Sequence, residues 1–136
     1  MRPLLLLPLL VACAGDADSG AADLASPCAE ETRALDLVPG LVVAGDGLSA
    51  TVQGLSPDPP SAAATNAWTV VLDPAPVEAP GVRLFMPDHG HGAPDGTAVM
   101  SEGAAALAVD FTMPGFWEVT LTTGDGSVVL PVCAEP

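Results

Sequence analysis

The sequence contains no lysine and no tyrosine, and its three positively charged side chains stand against seventeen acidic ones. The formal net charge is −14 at pH 7. Electrostatic binding of DNA or RNA depends on basic side chains that neutralise phosphates, so this class of function is excluded. The same negative charge repels anionic lipid headgroups, so attachment to a membrane needs a source other than charge.

Long apolar runs are also missing, and a membrane-spanning helix of about 20 apolar residues finds no match. The longest run, residues 3–10, follows Met1 and Arg2 and has the order of an export signal, with a positive start and an apolar middle. Leu10-Val11-Ala12-Cys13 comes where the apolar part ends, and it resembles the lipobox of bacterial lipoproteins, whose cysteine is acylated. An ordinary signal peptide with a cysteine there by chance is the alternative.

The lipobox predicts a protein held on a bacterial membrane by lipid on Cys13, with residues 1–12 removed as the signal peptide. Several acyl chains anchor a protein firmly, whereas one does so only marginally. The protein would then face the periplasm or the cell surface, and the sequence leaves open which membrane carries it. Residues 13–33 are mostly small and acidic, which predicts a flexible tether. Residues 34–136 suit one domain with a single core.

Two of the three cysteines remain once Cys13 is assigned to lipid. Disulfides persist in exported proteins, so we expect Cys28 to pair with Cys133 and to join the start of the domain to its last strand. The alternative is a metal site with two thiolates. The residues beside Cys28 and Cys133 offer no chelating spacing, which favours the disulfide.

Alternating apolar and polar residues predict an all-β fold, a β-sandwich of about seven strands. Turn signals recur about every ten residues, and Gly124-Asp125-Gly126 predicts a hairpin. Two proline-rich stretches, 56–60 and 73–76, are connections because proline cannot sit in a central strand. Residues 30–37 allow a short helix. The predicted strands are 48–55, 68–72, 82–86, 98–101, 105–112, 117–123 and 127–133.

Both histidines of the chain lie in residues 86–92, Met-Pro-Asp-His-Gly-His-Gly, where a strand is expected to end at a turn. Imidazole is the commonest metal ligand, and thioether sulfur selects reduced copper. His89 and His91, with Met86 from the same segment and Met113 from a second strand end, are therefore candidate copper ligands. The alternative is structural: the methionines fill gaps in the core, and the histidines hydrogen-bond to backbone and shape the loop.

This histidine segment, together with Phe111-Thr112-Met113-Pro114-Gly115-Phe116-Trp117, resembles the YtkA-like domain, which is related to FixH. Those proteins combine a Met-Pro-x-His-Gly-His-Gly turn with a downstream Met-x-Gly-x-Trp strand, and the resemblance covers roughly residues 47–133. It implies a small immunoglobulin-like sandwich, often membrane-tethered and extracytoplasmic. FixH-type members are associated with cytochrome oxidase assembly and copper handling. This chain departs from FixH because it lacks a transmembrane helix.

An enzyme is not expected, because the sequence has no G-x-S-x-G elbow and no serine or cysteine beside a histidine. We expect instead a non-enzymatic, membrane-anchored domain with a structural or protein-interaction role and an unidentified protein partner. Copper binding by the histidine and methionine turn is the alternative, and copper is the one cofactor that the sequence suggests.

Overall fold

The computed structural model describes residues 25–136, and this part of the chain consists of nine β-strands without a helix. The longest strands have eight residues. More than half of the residues in the connections between strands are glycine, proline or aspartate. The strands are β1 (Val42–Ala44), β2 (Ser49–Ser56), β3 (Asn66–Asp73), β4 (Gly81–Met86), β5 (His91–Gly92), β6 (Thr97–Ser101), β7 (Ala104–Val109), β8 (Gly115–Thr122) and β9 (Ser127–Ala134).

These strands form two antiparallel sheets, one with the order β1-β2-β3-β7-β6 and the other with the order β5-β4-β8-β9. The predicted all-β fold of two packed sheets is confirmed. All seven predicted strands are present, and the two additional strands are β1 and β5, of three and two residues. Strands this short show no alternation, and both lie at a sheet edge.

The core lies between the sheets, because alternate residues of each strand point inward. In β8 the inward positions are Trp117, Val119 and Leu121, none of which is exposed to solvent. Trp68 of β3 belongs to the other sheet and packs in the same core cluster, and Leu130 of β9 lies beside Val119 in the same sheet. Burial of a large apolar side chain contributes about 1.5–3 kcal/mol relative to its exposed state. The hydrophobic effect therefore holds the two sheets together.

The segment before β1 lies against the four-stranded sheet, and residues 26–35 are called the strap below. The Ser26 hydroxyl donates a hydrogen bond to the Glu135 carboxylate, and the Leu35 N–H donates to the Pro131 carbonyl at 2.8 Å. The predicted disulfide is confirmed: Cys28 is bonded to Cys133, with the two Cα atoms 5.6 Å apart. The short helix expected at residues 30–37 is absent, and the Leu35 N–H bonds to β9 instead of to a carbonyl four residues earlier in the segment.

One end of the sandwich collects the features that concern function, and it is called the turn end. The β4–β5 connection, the start of β8 and the end of β9 meet there, since Gly115 pairs with Ala134 and Phe85 with Glu118. Within residues 25–136, no helix has the length and apolar character needed to cross a membrane.

Candidate metal centre at the histidine turn

The histidine turn comprises residues 87–90 and joins β4 to β5. Pro87 ends β4 because proline has no N–H to donate to a neighbouring strand. The N–H groups of His89 and Gly90 both donate to the Met86 carbonyl, at 3.2 and 2.9 Å, and Gly90 adopts the left-handed conformation with φ of 67°. The chain then returns as β5, in which His91 pairs with Met86. As predicted, the strand ends at Met86 and a tight turn follows.

Both histidine side chains are exposed. Their ring centroids lie 5.6 Å apart, with an angle of 67° between the ring planes. The His91 Nδ1 atom lies 3.2 Å from the Gly92 carbonyl, whereas the His89 ring has no hydrogen bond to any other described residue. Both rings are therefore accessible from solvent, although His91 shares the face of its strand partner Met86.

Met86 lies directly beside this pair but is buried, with 2 % of its surface exposed. Paired residues of antiparallel strands point to the same face, so the Met86 side chain lies under His91. Its terminal methyl carbon occupies the space that a Cβ atom at Gly115 would need, with a separation of only 2.8 Å. Gly115 also has a φ of 129°, and this backbone conformation is the firmer reason for glycine there, because the end of the Met86 side chain is flexible.

Trp117 separates the turn from the remaining core. Its ring centroid lies 6.3 Å from that of His91 and 5.5 Å from that of Phe111. The indole N–H donates to the Met113 carbonyl at 3.0 Å, which fixes the loop before β8 to the wall of the site. The structure therefore connects both sequence motifs, the histidine turn and the Met113 loop, through one tryptophan.

The other two methionines of the described residues, Met113 and Met100, lie at different places in the sandwich. The Met113 side chain is half-buried against the core at the turn end. Met100 lies in β6, one residue from the strand end that leads into the β6–β7 hairpin, and so belongs to the opposite end of the sandwich. Met86 is the methionine that strand pairing places next to a histidine.

Within residues 25–136, no group of three or more His, Cys, Asp and Glu side chains is arranged to hold a metal ion. A metal at the turn would therefore have two imidazoles and would take its other ligands from thioether sulfur or water. Such a ligand set suits copper, because imidazole and thioether are soft enough to bind its reduced state.

The residue that sequence reasoning missed is Arg33. Its guanidinium group donates two hydrogen bonds to Asp88 of the turn, each 2.8 Å long, and lies 4.1 Å above the Phe116 ring. Glu31 binds the same guanidinium group from the strap side, at 2.7 Å and 2.9 Å. We refer to Glu31, Arg33 and Asp88 as the clamp.

Charge pairing in the clamp shifts the titration of all its members. Hydrogen bonds from Arg33 hold the pKa values of Asp88 and Glu31 below their usual range. Asp88 first, and Glu31 second, raise the pKa of Arg33. The clamp therefore stays charged under mildly acidic conditions. Sequence spacing gave no signal for it, because 55 residues separate Arg33 from Asp88.

No protein-family model, curated protein or solved structure matches this chain. The class of molecule is thus defined by its architecture, a two-sheet antiparallel β-sandwich with a strap and an exposed histidine turn. Membership of the YtkA-like family and the immunoglobulin-like subtype stay predictions. The predicted signal peptide, lipid site and first part of the tether lie outside the described residues. Residues 26–33, which the sequence placed in the tether, form most of the strap and contact the domain at Glu135, Cys133 and Asp88.

Proposed function

We propose that this protein is a non-enzymatic lipoprotein domain, anchored to a bacterial membrane outside the cytoplasm, whose histidine turn binds copper. The observation that carries the copper proposal is the exposed pair of imidazoles in one tight turn, 5.6 Å apart. Copper binding was the alternative on sequence grounds. Exposure of both rings is what now favours it over a purely structural function of the turn.

The separation of the rings agrees with the proposal. Metal–nitrogen bonds to imidazole are about 2.0–2.1 Å long, which puts the centroids of two rings on one ion about 5–6.5 Å apart. The measured separation lies in this interval. Met86 beneath His91 supplies a third ligand type, thioether, which favours the reduced state of copper.

We propose a non-enzymatic function because the two histidines share one turn and neither has a serine or cysteine beside it that it could activate as a nucleophile. Catalysis by an activated serine or cysteine needs a base within hydrogen-bond reach of it. Within the described residues, neither imidazole is hydrogen-bonded to a serine, cysteine or carboxylate side chain. The turn is therefore better suited to holding a ligand than to transforming one.

The way the chain enters the domain bears on the anchor. Ser26 bonds to Glu135 and Cys28 to Cys133, so the strap begins at the turn end of the sandwich. Eleven residues lie between Cys13 and Ala25, and a fully extended chain of that length spans roughly 40 Å. A lipid on Cys13 would thus keep the start of the strap within roughly 40 Å of the membrane.

Titration of the purified domain with Cu(I) and Cu(II) tests the copper proposal. We expect the wild type to bind one copper ion per chain at micromolar concentration, and the double variant His89→Ala/His91→Ala to bind none while its melting temperature stays unchanged. Asp95→Ala is the matched control, because Asp95 is an exposed carboxylate a few residues after the turn and accounts for unspecific binding to acidic groups.

A second function, the structural or protein-interaction one, is favoured by the clamp, which connects the turn to the strap. It predicts the opposite pair of results. The wild type would bind no copper at micromolar concentration, and the double histidine variant would melt at a lower temperature. Either result alone would count against the copper proposal. Neither result would contradict the β-sandwich fold.

A further inference from the structure

We propose that Arg33 is a positioning residue for the histidine turn: through Asp88 it holds the turn in the conformation that brings the two imidazoles together. The contact between Arg33 and Asp88 is independent of copper, but its significance for metal binding rests on the proposed function. Arg33 touches neither histidine in the bonds described above, so its effect on the site passes through the backbone of the turn.

The contact between Arg33 and Asp88 fixes an orientation as well as a distance. Nη1 binds Oδ1 and Nη2 binds Oδ2, both at 2.8 Å, so the guanidinium and carboxylate groups meet as two parallel forks. Bidentate pairs of this kind are geometrically specific, and a lysine in place of the arginine cannot reproduce them. Rotation of the Asp88 side chain is therefore restricted along with its position.

Arg33 is itself held in place from two other directions. Glu31 accepts hydrogen bonds from Nε and Nη2, and the Phe116 ring lies beneath the guanidinium group at 4.1 Å. An arginine over an aromatic face gains a cation–π attraction. Because these contacts order the arginine without help from the turn, the Asp88 contact costs less side-chain entropy than an isolated surface pair.

The strap, which carries Arg33, is itself fixed to the body of the domain on both sides of this residue. The Cys28–Cys133 disulfide holds it before Arg33, and the hydrogen bond from Leu35 to the Pro131 carbonyl holds it after. Both anchors lie on β9. The position of the guanidinium group is thus set by a strand of the four-stranded sheet, two strands away from β4.

The turn depends on this contact because few other bonds restrain it. Its backbone N–H groups bond only to carbonyls at its own beginning, those of Met86 and Pro87. Among the described residues, Arg33 is the one side chain that hydrogen-bonds to residues 87–90. Asp88 directly precedes His89, so release of Asp88 lets the His89 ring move away from His91.

The first test uses the metal-free protein and measures amide hydrogen exchange of His89 and Gly90, together with the NMR signals of the two imidazole rings. Arg33→Gln and Asp88→Asn should each accelerate exchange about two- to fivefold, the range expected for loss of one exposed ion pair. The ring signals should change at the same time. Arg83→Gln is the matched control, because Arg83 also lies over a phenylalanine, Phe85, but has no carboxylate partner among the described residues.

Rescue separates positioning from general destabilisation. The conservative variant Arg33→Lys keeps the charge but not the two parallel hydrogen bonds, so it should recover only part of the wild-type protection from exchange. Salt should reduce the difference between wild type and Arg33→Gln, because ions screen exposed pairs. Unchanged exchange and ring signals in Arg33→Gln would overturn the inference, as would equal effects of Arg33→Gln and Arg83→Gln.

The second test measures copper affinity of the same variants. Arg33→Gln should bind copper about two- to fivefold more weakly, in step with the exchange result, and Arg83→Gln should bind like the wild type. The two proposals fail in different ways. A wild type that binds no copper contradicts the proposed function, whereas wild-type affinity in Arg33→Gln contradicts the positioning role.

Discussion

The substitution Met86→Leu asks whether a buried thioether takes part in the site at the histidine turn. Met86 is 2 % exposed and packs in the core, so its truncation to alanine would cost about 2–5 kcal/mol of the free energy of unfolding. Leucine has nearly the same volume and removes only the sulfur, which limits the expected loss to less than about 1.5 kcal/mol. The leucine variant thus tests the ligand without emptying the core.

The expected effect on copper follows from strand pairing. Cβ atoms of paired residues in antiparallel strands are about 4.5–5.5 Å apart, so the Met86 side chain begins beside that of His91, and we expect its sulfur to reach a metal bound there. Thioether stabilises the reduced state, so Met86→Leu should weaken Cu(I) binding by about tenfold or more, equivalent to about 1.4 kcal/mol. Cu(II) affinity, which depends on the imidazoles, should stay within about twofold.

Competition titration against a Cu(I) chelator provides the assay, and urea unfolding provides the stability of each variant. Met100→Leu is the matched control, because it makes the same chemical change in a half-buried methionine at the opposite end of the sandwich. If Met86→Leu binds Cu(I) as tightly as the wild type while the double histidine variant binds none, Met86 is a core residue only. The reasoning from strand pairing would then be refuted.

Three further predictions concern the anchor and the fold. Cys13→Ser should move the protein from the membrane fraction to the soluble fraction, and continued membrane attachment would exclude the lipobox. Removal of the disulfide by Cys28→Ala/Cys133→Ala should lower the free energy of unfolding by about 2–5 kcal/mol in non-reducing urea titrations, since the bond closes a loop across 105 residues. Asn66→Ala should cost at least about 1–3 kcal/mol, because the buried amide bonds to Ser61, Ala64 and Val109, and a wild-type melting curve would contradict this.

The sequence predicted the strands well where apolar residues alternate over five or more positions. In β8 the residues Trp117, Val119 and Leu121 alternate with polar ones, and the structure buries all three. Strands β1 and β5 escaped prediction because two or three residues carry no periodic pattern. Their existence depends on neighbouring strands that offer unpaired backbone groups at the sheet edge.

A long-range contact could be predicted from the sequence only where few partners were available. Two cysteines remained after the lipid site was assigned, so Cys28 had a single partner available and the pairing followed. Asn66 had no such restriction. It lies at the start of β3, and its buried hydrogen bonds to the Ser61 and Val109 backbone depend on how the 57–65 connection folds back, which no local pattern encodes.

At the candidate site, the sequence located the candidate ligands but not the Arg33 contact that restrains the turn. The histidine turn was visible because proline, glycine and histidine are concentrated in seven residues. Arg33 was not visible, because many acidic residues could have been its partner and charge has no periodicity. The fold selects the partner, because the disulfide and the Leu35 hydrogen bond bring the strap across the start of β8, where Phe116 lies under the guanidinium group.

The scarcity of positive charge gives this contact its significance. Arg33 and Arg83 are the only basic side chains after the predicted signal peptide, so most carboxylates have no cation to pair with. A surface ion pair contributes little to stability, and an isolated one would explain little about the fold. Arg33 nevertheless bonds to two carboxylates and an aromatic ring next to both histidines of the chain. An effect on the geometry of the turn accounts for that placement better than a contribution to overall stability, and the comparison of Arg33→Gln with Arg83→Gln separates the two.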